Sequence, residues 1–251
     1  MYFDTHAHYE DEKFNENRDT LIEDMHSNGV DYIINIGSDM ATSKKSIDLA
    51  KKYDFIYAAV GVHPTEVEEM TENDIETLRK YADYEKVVAI GEIGLDYHYD
   101  YSTKEKQRYW FKRQLDLAAE LDLPVSIHSR EASQETFDII KSSNVRKGSI
   151  HAFSGSVEMA KDYIDMGFHI GVGGVVTFKN AKKLVDVVRF VPINKILLET
   201  DSPYLSPVPF RGTVNNSQNL KYVAEKIGEI KQISPEEVCK ITAQNAKEIF
   251  W

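Results

Sequence analysis

His6 and His8 stand two residues apart in the apolar, β-prone run 2–8. Side chains alternate along a strand, so both imidazoles emerge on one face and could hold one metal ion. Asp4 has the same spacing and is placed to orient such a ligand through a hydrogen bond. Four more residues of the same kind each follow a short hydrophobic run: Glu92 after Val87 to Gly91, His128 after Pro124 to Ile127, His151 after Gly148 to Ile150, and Asp201 after Ile196 to Thr200. Burying four histidines and two carboxylates together is costly unless a cation satisfies them. Six donors exceed what one zinc takes from protein, whereas two divalent ions about 3.5–4 Å apart would use them all, with Glu92 central enough to bridge. Mixed imidazole and carboxylate donors suit zinc, manganese or magnesium. The only cysteine, Cys239, can make neither an internal disulfide nor a thiolate metal site. Two such ions would activate a water and neutralise charge growing on a phosphoryl or carbonyl oxygen, which is hydrolytic chemistry. Asp201 is the candidate general base and Glu92 the second catalytic carboxylate.

These residues must be brought together by regular elements. Eight short β-prone runs span 2–8, 32–38, 56–63, 87–95, 124–129, 148–153, 169–177 and 195–201. Between them helical spacing covers 16–28, 40–52, 72–81, 104–121, 132–142, 156–166, 179–190 and 216–230, and a last helix covers 235–250. Ser102 or Thr103, Ser156 and Ser234-Pro235 are helix-start signals, and Gly29 and Gly167 fall where helix ends favour a left-handed residue. Alternation repeated eight times predicts an α/β fold with a parallel sheet closed into a (β/α)8 TIM barrel, with an open doubly wound sheet as the alternative. No Gly-x-Gly-x-x-Gly links a strand to a helix, and Gly171-Val172-Gly173-Gly174 lies inside a strand candidate, which argues against a dinucleotide fold. No linker divides residues 1–251, so a single domain is expected. In a barrel the six polar residues fall at the C-terminal ends of strands, on the rim where catalytic sites are built.

Composition narrows the classes. The 251 residues are 42% hydrophobic and 28% charged, as in soluble globular proteins. The net charge of −11 argues against gripping long nucleic acid through a basic face, although divalent ions would supply local positive charge at a strand end. No run nears the ~18 apolar residues of a membrane helix, and the N-terminus shows no signal pattern, so a cytoplasmic protein without membrane or obligate protein partner is expected.

Six motifs carry a wider likeness: Asp4-Thr5-His6-Ala7-His8, Gly61-Val62-His63-Pro64, Gly91-Glu92-Ile93-Gly94-Leu95-Asp96-Tyr97, His128-Ser129-Arg130, His151-Ala152-Phe153-Ser154-Gly155 and Glu199-Thr200-Asp201-Ser202-Pro203-Tyr204. Together and in order over the whole chain, they resemble the TatD family of metal-dependent deoxyribonucleases. The resemblance implies a barrel of the amidohydrolase type. It implies one metal held by His6, His8, Glu92 and Asp201 and another by Glu92, His128 and His151. It also implies magnesium- or manganese-dependent cleavage of phosphodiester bonds at DNA ends. Other relatives are implicated in removing D-amino acids from tRNA, so a D-aminoacyl-tRNA deacylase or small-molecule amidohydrolase is the alternative on the same site. A scaffold that keeps metal only for stability is the non-enzymatic reading. Where the family commonly has Arg-Gly-Lys-x-Asn, this chain has Arg211-Gly212-Thr213-Val214-Asn215. The missing lysine bears on substrate phosphate contact more than on the metals.

Three further residues are candidate substrate contacts. His63 ends the third strand on the same rim and could hydrogen-bond a phosphate. Arg130 follows His128 closely enough to clamp an oxyanion, with pairing to Glu131 or Asp96 as the bland outcome. Arg211 sits in a proline-stiffened loop that could hold it over the pocket. Tyr97, His98, Tyr99 and Tyr101 could stack on a terminal base. His26 and His169, away from this rim, are read as structural.

Overall fold

The computed structural model describes residues 1–251 as eight parallel strands hydrogen-bonded in chain order. They are β1 (Tyr2–Ala7), β2 (Val30–Ile36), β3 (Ile56–Val60), β4 (Val87–Asp96), β5 (Val125–Arg130), β6 (Gly148–Ile150), β7 (His169–Val172) and β8 (Ile196–Leu198). The sheet returns to its start through a parallel bridge between Ala7 and Ser202. The backbone N–H of Asp201 donates to the His6 carbonyl at 2.9 Å, and that of His8 to the Ser202 carbonyl at 2.8 Å. Thr5 Oγ1 donates to the Leu198 carbonyl at 3.0 Å. This seam makes the sheet a nearly closed (β/α)8 barrel and rules out the open doubly wound alternative.

The helices are α1 (Arg18–Ser27), α2 (Met40–Lys52), α3 (Glu72–Ala82), α4 (Lys104–Glu120), α5 (Ser133–Ser142), α6 (Val157–Asp165), α7 (Lys182–Phe190), α8 (Leu220–Lys231) and α9 (Pro235–Phe250). None is long and apolar enough to cross a membrane. Their start signals work as local chemistry requires: Thr103, Ser156 and Ser234 each accept a hydrogen bond from the backbone N–H three residues on. Gly29 and Gly167 adopt φ of 94° and 99° at helix ends.

Four strands end earlier at the rim than hydrophobicity suggests, while β4 and β5 each run one residue past the expected end, to Asp96 and Arg130. The run 56–63 stops at Val60, because His63 caps a 3-10 turn at Pro64–Glu69. The run 148–153 stops at Ile150, and Ala152 takes a left-handed φ of 42°. The run 169–177 stops at Val172, and Gly174–Thr177 coils into another 3-10 turn. The run 195–201 shrinks to Ile196–Leu198, since residues 193–195 form a turn and Asp201 adopts φ 58°, a conformation Asp tolerates better than most residues.

Two hydrophobic clusters hold the barrel. The larger, of 54 buried residues, lies between the sheet and its helices. The smaller joins Phe3, Ile34, Ile36, Ala59, Val88 and Leu197 to Ala243, Ala246, Ile249 and Phe250 of α9. Trp251 packs against Phe3, Tyr32 and Tyr57, near the starts of their strands, so the last helix seals the end opposite the polar rim.

Candidate metal centre

The strands that carry His6 and Glu92, β1 and β4, are irregular at these candidate ligand positions. Pairing of β1 with β2 slips between Asp4 and Ala7, around Thr5 and His6. Pairing of β4 with β5 slips between Ile90 and Ile93, around Gly91 and Glu92. Such bulges re-aim side chains beside active sites. Farther along β4, Gly94 pairs with His128 at φ 148°, where a Cβ would stand 1.9 Å from the His128 carbonyl oxygen. Only glycine permits this approach, which seats His128 against Glu92.

All six expected ligands converge. Nε2 of His6 and Nε2 of His8 lie 3.1 Å apart. Oε2 of Glu92 is 3.4 Å from the first and 3.7 Å from the second. Oδ1 of Asp201 lies 3.5 Å from Nε2 of His8, 3.6 Å from Nε2 of His151 and 3.9 Å from Nε2 of His6. The other oxygen of Glu92, Oε1, faces Nδ1 of His128 at 3.0 Å and Nε2 of His151 and of His63 at 3.9 Å. Glu92 thus turns one oxygen to His6 and His8 and the other to His128, His151 and His63. Asp201 and His128, with side chains 18% exposed, form the face that opens to solvent, while His6 is 1% exposed at the back.

Each imidazole has a polar group behind it, and three of the four hydrogen-bond to theirs. Nδ1 of His8 donates to the Ile36 carbonyl at 2.8 Å, which leaves Nε2 to the centre. Nδ1 of His6 meets Ser126 Oγ at 3.1 Å. Nε2 of His128 meets Asp96 Oδ2 at 2.9 Å, which turns Nδ1 inward. Nδ1 of His151 sits 3.1 Å from Glu199 Oε1, and the His6 and His151 rings stack with centroids 3.4 Å apart. Glu10, fixed by Asn35 at 2.7 Å, backs His8 from 3.5 Å. Asp96, Glu199, Glu10 and Ser126 were not singled out as bracing residues from the sequence. Glu199 was findable, since it precedes Asp201 by one strand repeat.

Asp4 does not orient an imidazole. Beside the β1 irregularity its carboxylate accepts from Thr200 N, Thr200 Oγ1 and Ser217 Oγ at 3.0, 2.6 and 2.6 Å and so ties the barrel seam. Burial pushes its pKa up to about 6 against these hydrogen bonds.

The electrostatics fit a cation site. Burial alone would drive His8, His128 and His151 toward neutrality, yet their carboxylate neighbours raise all three, His151 to about 9. Burial opposes ionisation of Glu92 and Asp201 as well, but the surrounding histidines hold both below the usual carboxylate range. His6 is pushed down by burial and by the neighbouring His151. Two Nε2 atoms facing each other at 3.1 Å, both turned inward by their Nδ1 partners, repel unless a cation or a proton lies between them. The donor set therefore fits divalent metal.

A cleft of about 1010 Å³ opens over these residues. His63 and Arg130 line it. Nδ1 of His63 lies 2.7 Å from Thr65 Oγ1 and 3.3 Å from the Thr65 N, which turns Nε2 inward to 3.9 Å from Glu92 Oε1. Burial and the adjacent His128 depress its pKa to about 3, so the ring stays neutral. Arg130 is exposed and lies 5.0 Å over the Tyr99 ring. Its suggested partners are taken, Asp96 by His128 and Glu131 by His98. Arg211 does not reach the cleft; its guanidinium packs on Phe178 at 4.1 Å. Of the four loop aromatics, Tyr99 and Tyr101 line the cleft and stack at 5.3 Å. Tyr97 instead donates to Glu135, and His98 pairs with Glu131. His26 bonds the Val30 carbonyl and stacks on Phe55, and His169 is a buried strand residue, so both lie outside the site.

The family described as TatD related DNase matches residues 3–251. The metal-dependent hydrolase YabD of Bacillus subtilis is 43% identical over 252 residues, covering 100% of this chain and 99% of that protein. The metal-dependent hydrolase YcfH of Escherichia coli K12 is 34% identical and covers 98% and 94%. The crystal structure of the TatD homologue YjjV from Escherichia coli K12 superposes with a TM-score of 0.93 at 32% identity, covering 99% of this chain and 97% of that one. Organophosphorus hydrolase variants share the fold alone, with a TM-score of 0.65 at 11% identity for one of them.

Proposed function

We propose, from the premise that this chain belongs to the TatD related DNase family and is a metal-dependent hydrolase, that it cleaves phosphodiester bonds at DNA ends. The observation that carries this reading is Glu92, whose two oxygens face two separate histidine sets at 3.0–3.9 Å. That arrangement suits two divalent ions, magnesium, manganese or zinc: His6, His8, Glu92 and Asp201 would hold one, and Glu92, His128 and His151 the other. Bound there, the ions supply an acidified water and positive charge for the phosphoryl oxygens.

The chain's own groups do the rest. Asp201, more open to the cleft than Glu92, takes the proton of the attacking water. His63 offers a neutral Nε2–H to a non-bridging oxygen or to the leaving group. Arg130, unpaired at the rim, clamps the scissile phosphate, and Tyr99 with Tyr101 gives a platform for a base. Asp11, Glu12, Asp39 and Glu66 also line the cleft, and this acidic wall repels a long polyanion. A strand end, with one phosphate over the metals, is the substrate it tolerates.

The test is a labelled single-stranded oligonucleotide incubated with protein loaded with magnesium or manganese, with chelated protein and Asp201→Asn as controls. Stepwise shortening from one end is expected. Intact DNA beside release of D-tyrosine from charged tRNA would instead establish the deacylase reading, and hydrolysis of a small ester or amide alone the small-molecule reading, which the acidic wall and the net charge of −11 favour.

A further inference from the structure

A second recess, of about 390 Å³, opens between the loop after β1, the start of α1 and α2. Glu10 and Lys45 line both this recess and the large cleft, so the two are continuous. Glu10 also stands 3.5 Å behind His8, which sets the junction beside the candidate metal centre.

The charges on its wall are unequally committed. Each of its three carboxylates has a partner: Glu10 accepts from Asn35 and faces His8, Asp19 pairs with Lys52 at 2.5 Å, and Asp48 with Lys44 at 2.5 Å. Lys45 and Arg18, on the same wall, form no ion pair. Arg18 is held by neutral oxygens instead. Its Nε donates to the Tyr9 carbonyl at 2.6 Å, and its Nη2 to the Glu10 and Asp11 carbonyls at 3.3 and 3.1 Å and to Asn15 Oδ1 at 2.7 Å. These bonds leave Nη1 without a partner, on a side chain that is only partly buried. A guanidinium already fixed at two nitrogens gives up little further freedom when an anion meets the third.

The large cleft is short of such groups. Lys45 and Arg130 are the two lysine or arginine residues that line it, against the acidic wall of Asp11, Glu12, Asp39 and Glu66. Lys45 lies on α2, which follows β2, and Arg130 ends β5, so they flank the metal centre three strands apart round the rim.

We propose that the recess is a phosphate subsite in which Lys45 and Arg18 take the phosphate next to the scissile one; this rests on a DNA strand being the substrate. With Arg130 on the scissile phosphate and a base on Tyr99 and Tyr101, the chain leaves the centre toward Lys45. Two cations free of carboxylates suit a singly charged phosphodiester, and the carboxylates nearby are already neutralised by other cations. A small ester with one phosphoryl group cannot reach both places, whereas a strand with two successive linkages can.

The test uses the full-length metal-loaded protein and single-stranded oligonucleotides of one sequence, each with a neutral methylphosphonate at one linkage. For wild type, neutralising the linkage next to the scissile one should raise KM about tenfold, the worth of one charge-assisted contact. Lys45→Met should raise KM as much on the unmodified strand, reduce the slope of log KM against log salt by about 0.7, and lose nothing more when that linkage is neutral. Lys45→Arg should restore the wild-type values. Arg18→Gln should repeat the Lys45→Met pattern, with melting temperature confirming its fold. Lys51→Met, on the same helix but over Tyr84, should match wild type. An unchanged KM for Lys45→Met, or losses that add at every linkage, would overturn the subsite, while continued cutting leaves the nuclease reading standing. Weaker binding of inorganic phosphate to Lys45→Met without any linkage effect would make the recess a free-anion site and equally overturn it. If no strand is cut, equilibrium binding of the same oligonucleotides decides: non-additive losses keep the subsite while the nuclease reading fails, and additive losses remove both.

Discussion

Asp96 holds Nε2 of His128 at 2.9 Å and thereby turns Nδ1 of the same ring to Glu92 at 3.0 Å. Glu199 behind His151 and Glu10 behind His8 add two more buried carboxylates outside the candidate ligands, while Ser126 and the Ile36 carbonyl hold Nδ1 of His6 and of His8.

Asp96→Asn should therefore weaken divalent metal binding by about 10–100-fold while leaving the fold intact. Competition titration against a chelating dye, beside a circular dichroism melt, measures both. Unchanged affinity would show that Asp96 is only a loop anchor, through its hydrogen bond from the His98 N–H.

Glu92 and Asp201 should separate in mutagenesis. Glu92→Gln removes the carboxylate shared by both histidine sets, so metal content should fall as activity is lost. Asp201→Asn keeps an oxygen near His8 and should retain bound metal, while kcat drops by about 10²–10⁴-fold for want of the base. Elemental analysis of each purified variant, alongside its kinetics, tells the two apart; equal metal loss in both would remove the case for Asp201 as base.

The metal-free protein should lose stability from neutral to alkaline pH. His151 is raised from 6.5 to about 9, and His8 and His128 are raised with it, by carboxylates that outweigh burial. A raised folded pKa gives stability fully present below 6.5, the unfolded value, and lost as pH climbs through about 9. Glu92 and Asp201, held low, act oppositely, contributing above the ordinary carboxylate range and losing that contribution on acidification. Metal must displace the imidazole protons, so its affinity should increase over the same alkaline span with proton release. Calorimetry in buffers of different ionisation enthalpy counts those protons; none released, with a flat melting temperature from pH 6.5 to 9, would contradict the charge assignment.

The seam residue Asp4 accepts four hydrogen bonds, from His6 N, Thr200 N, Thr200 Oγ1 and Ser217 Oγ. Asp4→Ala strands buried donors at about 1–3 kcal/mol each, so a loss of about 3 kcal/mol is expected even if some find new partners. For a chain of this length that is a fall in Tm of about 6–12 °C. A loss under about 1 kcal/mol would mean that the backbone bonds alone close the barrel.

Arg130→Ala should raise KM on oligonucleotides by about tenfold and flatten its salt dependence, because one unpaired cation at the cleft edge is removed. Arg211→Ala, with its guanidinium on Phe178, should change neither. Steady-state kinetics at two salt concentrations decides between them, and equal effects would place both arginines on the substrate.

The sequence by itself determined the eight βα repeats and the candidate ligands, because both are written in short-range pattern; closure of the sheet into a barrel was decided by the seam between Ala7 and Ser202. Period-two spacing paired His6 with His8, and Glu92, His128, His151 and Asp201 each closed an apolar run that could only be a strand. Tertiary structure alone decided the support. Ser126 lies 120 residues from His6, and Thr200 lies 196 from Asp4, separations that no local periodicity encodes. It also decided direction: the slips of register around His6 and Glu92 aim those side chains, and Asp4, expected behind an imidazole, closes the seam instead. Arg130 and Arg211 look alike in sequence and each lies over an aromatic ring, but the first lines the cleft with its possible carboxylate partners taken by His98 and His128, and the second packs on Phe178 away from it. Whether a charge is available depends on what the fold sets beside it, and that is a property of packing.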